Sequence, residues 1–232
     1  MKIGIIAAMS SEYKQVAQLL EDKKEYTEGM YEYTEGKIKN NIVILTKCGI
    51  GKVNAAVGAV ELIRTFQPDC IISTGVAGGI DKCLKVMDVV ASAQIVYHDV
   101  WCGEGNAYGQ IQGMPTFFEG NKTLFECAIS LDTETPIHGG LICSGDKFIT
   151  DREELDVIKG RMASRYASLL ITKFSVLSLP SPAGYMKLTI LTPFSLMYLT
   201  ISAFVNSLLG LPSAATSLFG FKESSRFISS QF

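Results

Sequence analysis

The chain has 232 residues, of which 19% are charged, and a formal net charge of −2. That length buries a sizeable core, and that balance leaves no broad electrostatic footprint for nucleic acid. Six cysteines (Cys48, Cys70, Cys83, Cys102, Cys127 and Cys143) form no CxxC pair, and only two histidines accompany them, so a zinc cluster is unsupported. They read as reduced thiols of a cytosolic protein.

The opening MKIGIIAAMSSE has an apolar run of only about seven residues, which fits a first strand, Lys2 to Ala8, and not a signal peptide. SEYKQVAQLLEDKK follows, with Tyr13, Val16, Ala17, Leu19 and Leu20 on one helical face and Ser10 or Ser11 as N-cap. MYEYTEGKIKNNIVILTKCG predicts two strands joined by a turn at Lys39, Asn40 and Asn41. Next come a helix (VNAAVGAVELIRTF), a strand (CIISTG), a glycine turn (VAGGI) and a strand near VVASAQIVYHD. A helix near KTLFECAISL, the strand HGGLICSG and a helix around DREELDVIKG complete this part. Such alternation predicts an α/β fold, a mostly parallel central sheet covered by helices, with ligands at the carboxyl ends of its strands.

The composition breaks near residue 160. Residues 1–160 hold 15 Lys and Arg against 22 Asp and Glu, whereas residues 161–232 hold six against one. The second part also has 14 serines against six in the first, and no charge lies between Lys187 and Lys222. Its run LTILTPFSLMYLTISAFVNSLLGL is long enough to span a hydrocarbon core of roughly 30 Å. Three readings compete: a membrane segment, a buried core segment with Ser/Thr-rich turns, or sequence foreign to the fold of the first 160 residues. Pro193, Asn206 and the many Ser and Thr residues weigh against the membrane. A downstream shift of reading frame gives this kind of abrupt change.

Four strand ends bring distinctive residues. AMSSE supplies Met9 and Glu12, and GIGKVNAA follows Cys48. GVAGG follows IIST, and DKFITDREE follows GLICSG. GIGK lacks the GxxxxGK[ST] spacing of a Walker loop and is not GxGxxG. Gly49 and Gly51 either serve only the turn and close helix packing, or also expose backbone N–H groups to a ligand. Glu12, in the first turn of a helix, either answers the helix dipole or takes a proton from water. Met9 and Phe148 either join the core or stack on a flat ligand. His98 and Asp99 are a possible pair, His138 reads as structural, and Asp146 and Asp151 cap or solvate the DREELDVIKG helix.

Taken in order, MKIGIIAAM with Glu12, CGIGKVNAA, STGVAGG, LKVMDVVASAQIVYHDV, YGQIQGMP and GLICSGDKFI resemble the 5'-methylthioadenosine/S-adenosylhomocysteine nucleosidases over residues 1–159. These belong to the wider purine nucleoside phosphorylase-like superfamily. The resemblance implies a phosphorylase/hydrolase-like nucleoside-binding fold. It implies a cytoplasmic homodimer of methionine salvage that uses water and a small-molecule nucleoside, with no cofactor, metal or nucleic acid. The reaction implied is hydrolysis of the N-ribosidic bond to release adenine. It further implies that Glu12 activates water, Met9 faces the ribose, Phe148 and Ile149 hold adenine, and Gly78 flanks the nucleoside pocket.

Several positions depart from the family pattern. Val76 stands where a serine is expected, the serines of AMSSE replace common acidic residues, and HDVWCGEGNAYGQ is one residue short in a subunit-contact loop. After Gly160 the family has a VEMEAA-like segment that grips the ribose hydroxyls and an RAISD-like strand end whose aspartate protonates N7 of the base. Residues 161–232 contain neither, and their one acid is Glu223 in FKESSRF. The expectation is therefore a nucleosidase-like α/β region over 1–160 and an atypical Ser/Leu-rich apolar tail over 161–232, a frame-shifted remainder of the same domain. That tail offers no recognisable closing strand, so the chain is expected to be inactive or poorly folded. One alternative is a purine nucleoside phosphorylase, which needs arginines on phosphate, and Arg64 and Arg152 are the only ones before residue 160. The other is a non-catalytic nucleoside-binding or membrane-associated protein.

Overall fold

A computed structural model describes residues 1–86 and 88–162, and the backbone of 169–173 and 186–191. In chain order the strands and helices are β1 (Lys2–Ala7), α1 (Ser10–Gln18), β2 (Glu21–Glu28), β3 (Tyr31–Ile38), β4 (Asn41–Lys47) and α2 (Lys52–Phe66). Then follow β5 (Cys70–Gly75), β6 (Gly78–Gly79), β7 (Val89–Tyr97), β8 (Phe118–Glu119), α3 (Lys122–Ile129), β9 (Ile137–Ser144) and α4 (Arg152–Met162). The tail contributes β10 (Leu169–Lys173) and β11 (Met186–Leu191), although its sequence announces no strand.

The strands form one sheet in the order β2-β3-β4-β1-β5-β11-β7-β9-β10-β6, with β8 added beside β7. The sheet is mixed. β1 pairs in parallel with β4 and β5, β11 with β5, and β9 with β7 and β10. The β2–β3–β4 meander and the β11–β7 seam are antiparallel. β6 begins only three residues after β5 ends, yet pairs with β10 at the far end of the order. A chain cannot bridge a flat sheet in so few residues, so the sheet curls back on itself.

The period-2 pattern of β1 places apolar side chains on both faces. Ile3 and Ile5 join Val16 and Leu20 beside α1, with Leu124 and Ala128 of α3. Ile6 turns the other way, onto Ala55, Ala59 and Leu62 of α2. Each Ile, Val or Leu side chain among them, fully buried, contributes about 1.5–3 kcal/mol. α2 lies close because its inward face is small, and a Cβ at Gly4 of β1 would come within 2.7 Å of Leu62. α4 packs Ile158 and Met162 against Val96, Leu141 and Cys143. Its acidic first turn (Glu153, Glu154) and basic last turn (Lys159, Arg161) match the helix dipole.

Two expectations are corrected. α1 ends at Gln18, and EDKK opens β2, which pairs antiparallel with β3. Except for half-buried Tyr26, β2 is exposed along its whole length. Cross-strand hydrogen bonds and the packing of Tyr26 on Tyr33 and Phe66 (6.0 and 5.8 Å between ring centroids) hold it, and hydrophobic alternation does not. The N-cap of α1 is Met9, and Ser10 is already helical. The predicted turn between β3 and β4 is present, with Lys39 at φ 53°. Among the described residues no helix is long and apolar enough to cross a membrane. Most of the apolar run singled out in the sequence, 192–211, and Glu223 lie outside those residues.

Candidate active site

The carboxyl ends of β1 and β5 lie side by side, with Ala7 opposite Thr74. Glu12, 1% exposed, reaches across from the first turn of α1. Its Oε2 accepts the N–H groups of Ala8 and Met9, both at 3.0 Å. Its Oε1 accepts the Val76 N–H at 2.9 Å. A buried carboxylate needs such partners, because leaving it unpaired costs several kcal/mol. Here they also fix its direction. Gly75 makes this possible, since a Cβ there would run into the Glu12 carboxylate.

The structure thus joins Glu12 and Met9 directly. Met9 is half-buried at the helix start. Gly78, exposed on β6, follows Val76 by two residues, and its neighbour in the β6–β10 pairing is Thr172. Phe148 and Ile149 come from another element, the loop after β9. Phe148 is 72% exposed, so it is no core residue, while Ile149 packs on the cluster of Ile80, Val96 and Leu141. β11 runs parallel to β5 and places Leu191 opposite Gly75, beside the Glu12 cradle. Neither β10 (LLITK) nor β11 (MKLTIL) contains an acidic residue.

The GIGK turn has a different partner from any phosphate. Lys52 Nζ donates to Asp99 Oδ1 and Oδ2 at 2.7 and 2.9 Å, and the Asp146 N–H donates to Asp99 Oδ2 at 2.8 Å. The Lys52 N–H, first in α2, donates to Asp146 Oδ1 at 2.6 Å. Burial pushes the Asp99 carboxyl up, but the Lys52 and Asp146 hydrogen bonds outweigh it and hold the group below the usual carboxylate range.

Asp99 is therefore paired with Lys52 and not with His98. The His98 ring is buried against Gly145, its Nε2 without a hydrogen-bond partner among the described residues, and burial holds its pKa below the ordinary value. Asp146 caps α2, not α4, and the cap of α4 is Asp151, whose Oδ1 accepts the Glu153 N–H at 2.9 Å. His138 Nε2 lies 3.3 Å from Asp88 Oδ2, away from these strand ends.

The donors from Ala8, Met9 and Val76 leave no trace in the residue pattern, because backbone N–H groups carry no residue signature. Val76, where the resemblance leads to the expectation of a serine, meets Glu12 through its backbone N–H, which does not depend on the side chain. Of the two arginines weighed as phosphate ligands, Arg64 is exposed in the last turn of α2. Arg152 is committed to the Ile80 carbonyl at 3.2 Å and to Asp156. Burial pushes the Cys70 and Cys143 thiols up to about 11 and about 12, so neither is a thiolate nucleophile at neutral pH. Among the described residues no group of three or more His, Cys, Asp or Glu side chains is arranged to hold a metal ion.

Comparison with known proteins identifies the family. The sequence model of the Phosphorylase superfamily matches residues 2–171. A 5'-methylthioadenosine/S-adenosylhomocysteine nucleosidase of Exiguobacterium is 40% identical over 164 residues, covering 69% of this chain and 70% of the relative. One from Actinobacillus succinogenes is 41% identical over 162 residues, covering 68% and 70%. The structure of the same enzyme from S. pneumoniae, solved with a transition-state inhibitor, superposes with a TM-score of 0.80 at 29% identity. It covers 90% of this chain and all of that one. The chain belongs to the phosphorylase superfamily and, within it, to the 5'-methylthioadenosine/S-adenosylhomocysteine nucleosidase family.

Proposed function

We propose that this chain hydrolyses the N-ribosidic bond of 5'-methylthioadenosine and S-adenosylhomocysteine, releasing adenine, with turnover limited by a missing general acid. The observation that carries the reading is the buried Glu12 carboxylate, aimed at the strand ends by three backbone N–H groups. Water attacks C1' as the bond to the base breaks, and the electron pair leaves with adenine. Glu12 takes the proton from water while C1' carries oxocarbenium character. Met9 borders the ribose, Gly78 keeps the pocket wall thin, and Phe148 and Ile149 hold the base by stacking and main-chain hydrogen bonds. Adenine leaves neutral only if it gains a proton, and residues 161–232 lack the family's aspartate for that step. A general acid supplies roughly 10²- to 10⁴-fold, so turnover falls by about that factor.

We assign residues 1–160 to the nucleosidase-like unit and 161–232 to an altered remainder of the same domain. The abrupt change in charge and serine content and the entry of β10 and β11 into the sheet support this. Reading the coding sequence in its other frames beyond codon 160 tests it, because one of them then writes the acidic strand end. A cytoplasmic homodimer acting in methionine salvage completes the reading, and sedimentation of the purified chain tests its dimeric part.

The decisive assay is adenine release from 5'-methylthioadenosine by the full chain, with and without phosphate. Slow, phosphate-independent release is expected. A requirement for phosphate refutes hydrolysis, and adenine binding without any release leaves a nucleoside-binding protein.

A further inference from the structure

We infer that Lys52 is a positioning residue for the loop that carries Phe148 and Ile149, acting through Asp99 and Asp146. The inference rests on the proposed role of that loop in holding the base. Three strand ends meet at one ammonium group. Lys52 stands at the turn after β4, Asp99 just beyond β7, and Asp146 just beyond β9. Their hydrogen bonds close a ring, from Lys52 Nζ to the Asp99 carboxylate, from the Asp146 N–H to that same carboxylate, and from the Lys52 N–H to Asp146 Oδ1. Lys52 Nζ is also 3.6 Å from Asp146 Oδ2 and 5.0 Å from the centre of the Tyr97 ring.

The Lys52 and Asp99 side chains are only 22% and 21% exposed, so solvent screens this pair less than an ordinary surface ion pair. Asp146 is held at both its N–H and its carboxylate, two residues before Phe148. Lys147 ties the next position to Glu154 of α4, at 2.7 and 2.8 Å. The loop is therefore held close to the end of β9, and Asp146 cannot shift without breaking charge-assisted hydrogen bonds. An exposed aromatic such as Phe148 gains stacking energy only if its backbone is already placed, because ordering it at the moment of binding subtracts from affinity.

The test compares full-length K52M and K52R with the unaltered chain by amide hydrogen exchange, adenine titration calorimetry and thermal unfolding. In K52M, exchange at amides 146–150 is expected to speed by about tenfold and adenine affinity to fall by about tenfold. K52R, whose guanidinium pairs with a carboxylate, is expected to restore most of both. Unchanged exchange at 146–150, or acceleration spread evenly through the sheet, overturns the inference in favour of a merely structural pair. Should K52M not fold, D99N removes the same charge pairing and is judged by the same exchange pattern. If the unaltered chain binds no adenine, the nucleoside reading fails, and the exchange pattern still decides whether Lys52 fixes the loop.

Discussion

Replacing Glu12 with glutamine separates two roles that one carboxylate holds. In the native site Oε2 accepts two N–H groups and Oε1 a third, all within 3.0 Å. Glutamine has one acceptor oxygen. With that oxygen turned to Ala8 and Met9, its NH₂ faces the Val76 N–H, donor against donor, at a position 1% exposed. One charge-assisted hydrogen bond, worth about 1.5–3 kcal/mol, is lost, and the other two weaken to neutral strength. The net cost is about 3 kcal/mol, which in a chain of this size lowers Tm by roughly 6–12 °C. Thermal unfolding of E12Q checks the stability arm, and adenine release checks the catalytic arm, where about 10²- to 10⁴-fold is expected to vanish. An E12Q protein as stable as the parent refutes the three-donor cradle, and one with undiminished release refutes Glu12 as the base.

Gly75→Ala is expected to disturb the same cradle from the other side, lowering stability by about 2–4 kcal/mol in urea unfolding, because its Cβ would occupy the space of the Glu12 carboxylate. Phe148→Ala is expected to leave Tm within about 2 °C, since the ring is 72% exposed, while weakening adenine binding by about 1–3 kcal/mol in calorimetry. Leu62→Ala, at a fully buried position against β1, is expected to cost about 2–5 kcal/mol in the same unfolding assay. Because the folded-state pKa of His98 is depressed, chiefly by burial, its contribution to stability is complete above its ordinary value of 6.5 and is lost as pH falls below it. Tm measured from pH 7.5 down to 5 is expected to fall less in H98F than in the parent.

Most strands and helices of the first 160 residues were legible because each carries its own period, whereas β2, β6 and β8 were not. KIGIIA and CIISTG are short apolar runs, and α2 repeats its small apolar face through Ala55, Ala59 and Leu62. What was not legible depended on partners distant in sequence. EDKK has the composition of an exposed helix end, and only pairing with β3 makes it a strand. β8 is two residues long and exists through Gln94 and Ile95 of β7. At the site, Glu12 and its place after a strand could be read directly. The pairing of Asp99 could not, because its partner Lys52 lies 47 residues away, whereas His98 is its neighbour in the chain.

The outermost strand, β2, has a bearing on how the molecule behaves in concentrated solution. Among the described residues it ends the sheet on one side, and it presents Glu21, Asp22, Lys23, Lys24, Glu25 and Glu28 in eight residues, with a register irregularity between Glu21 and Lys24. A stray strand docking there would have to place its own side chains among ions of both signs along a bent margin. Unpaired strand margins invite runaway stacking of chains into fibres, and charge together with irregular register is how such growth is stopped. Neutralising this margin, for example with Thr or Val at Lys23, Lys24 and Glu25, would leave Glu12 and its backbone donors untouched while turning a self-limiting particle into one prone to polymerise.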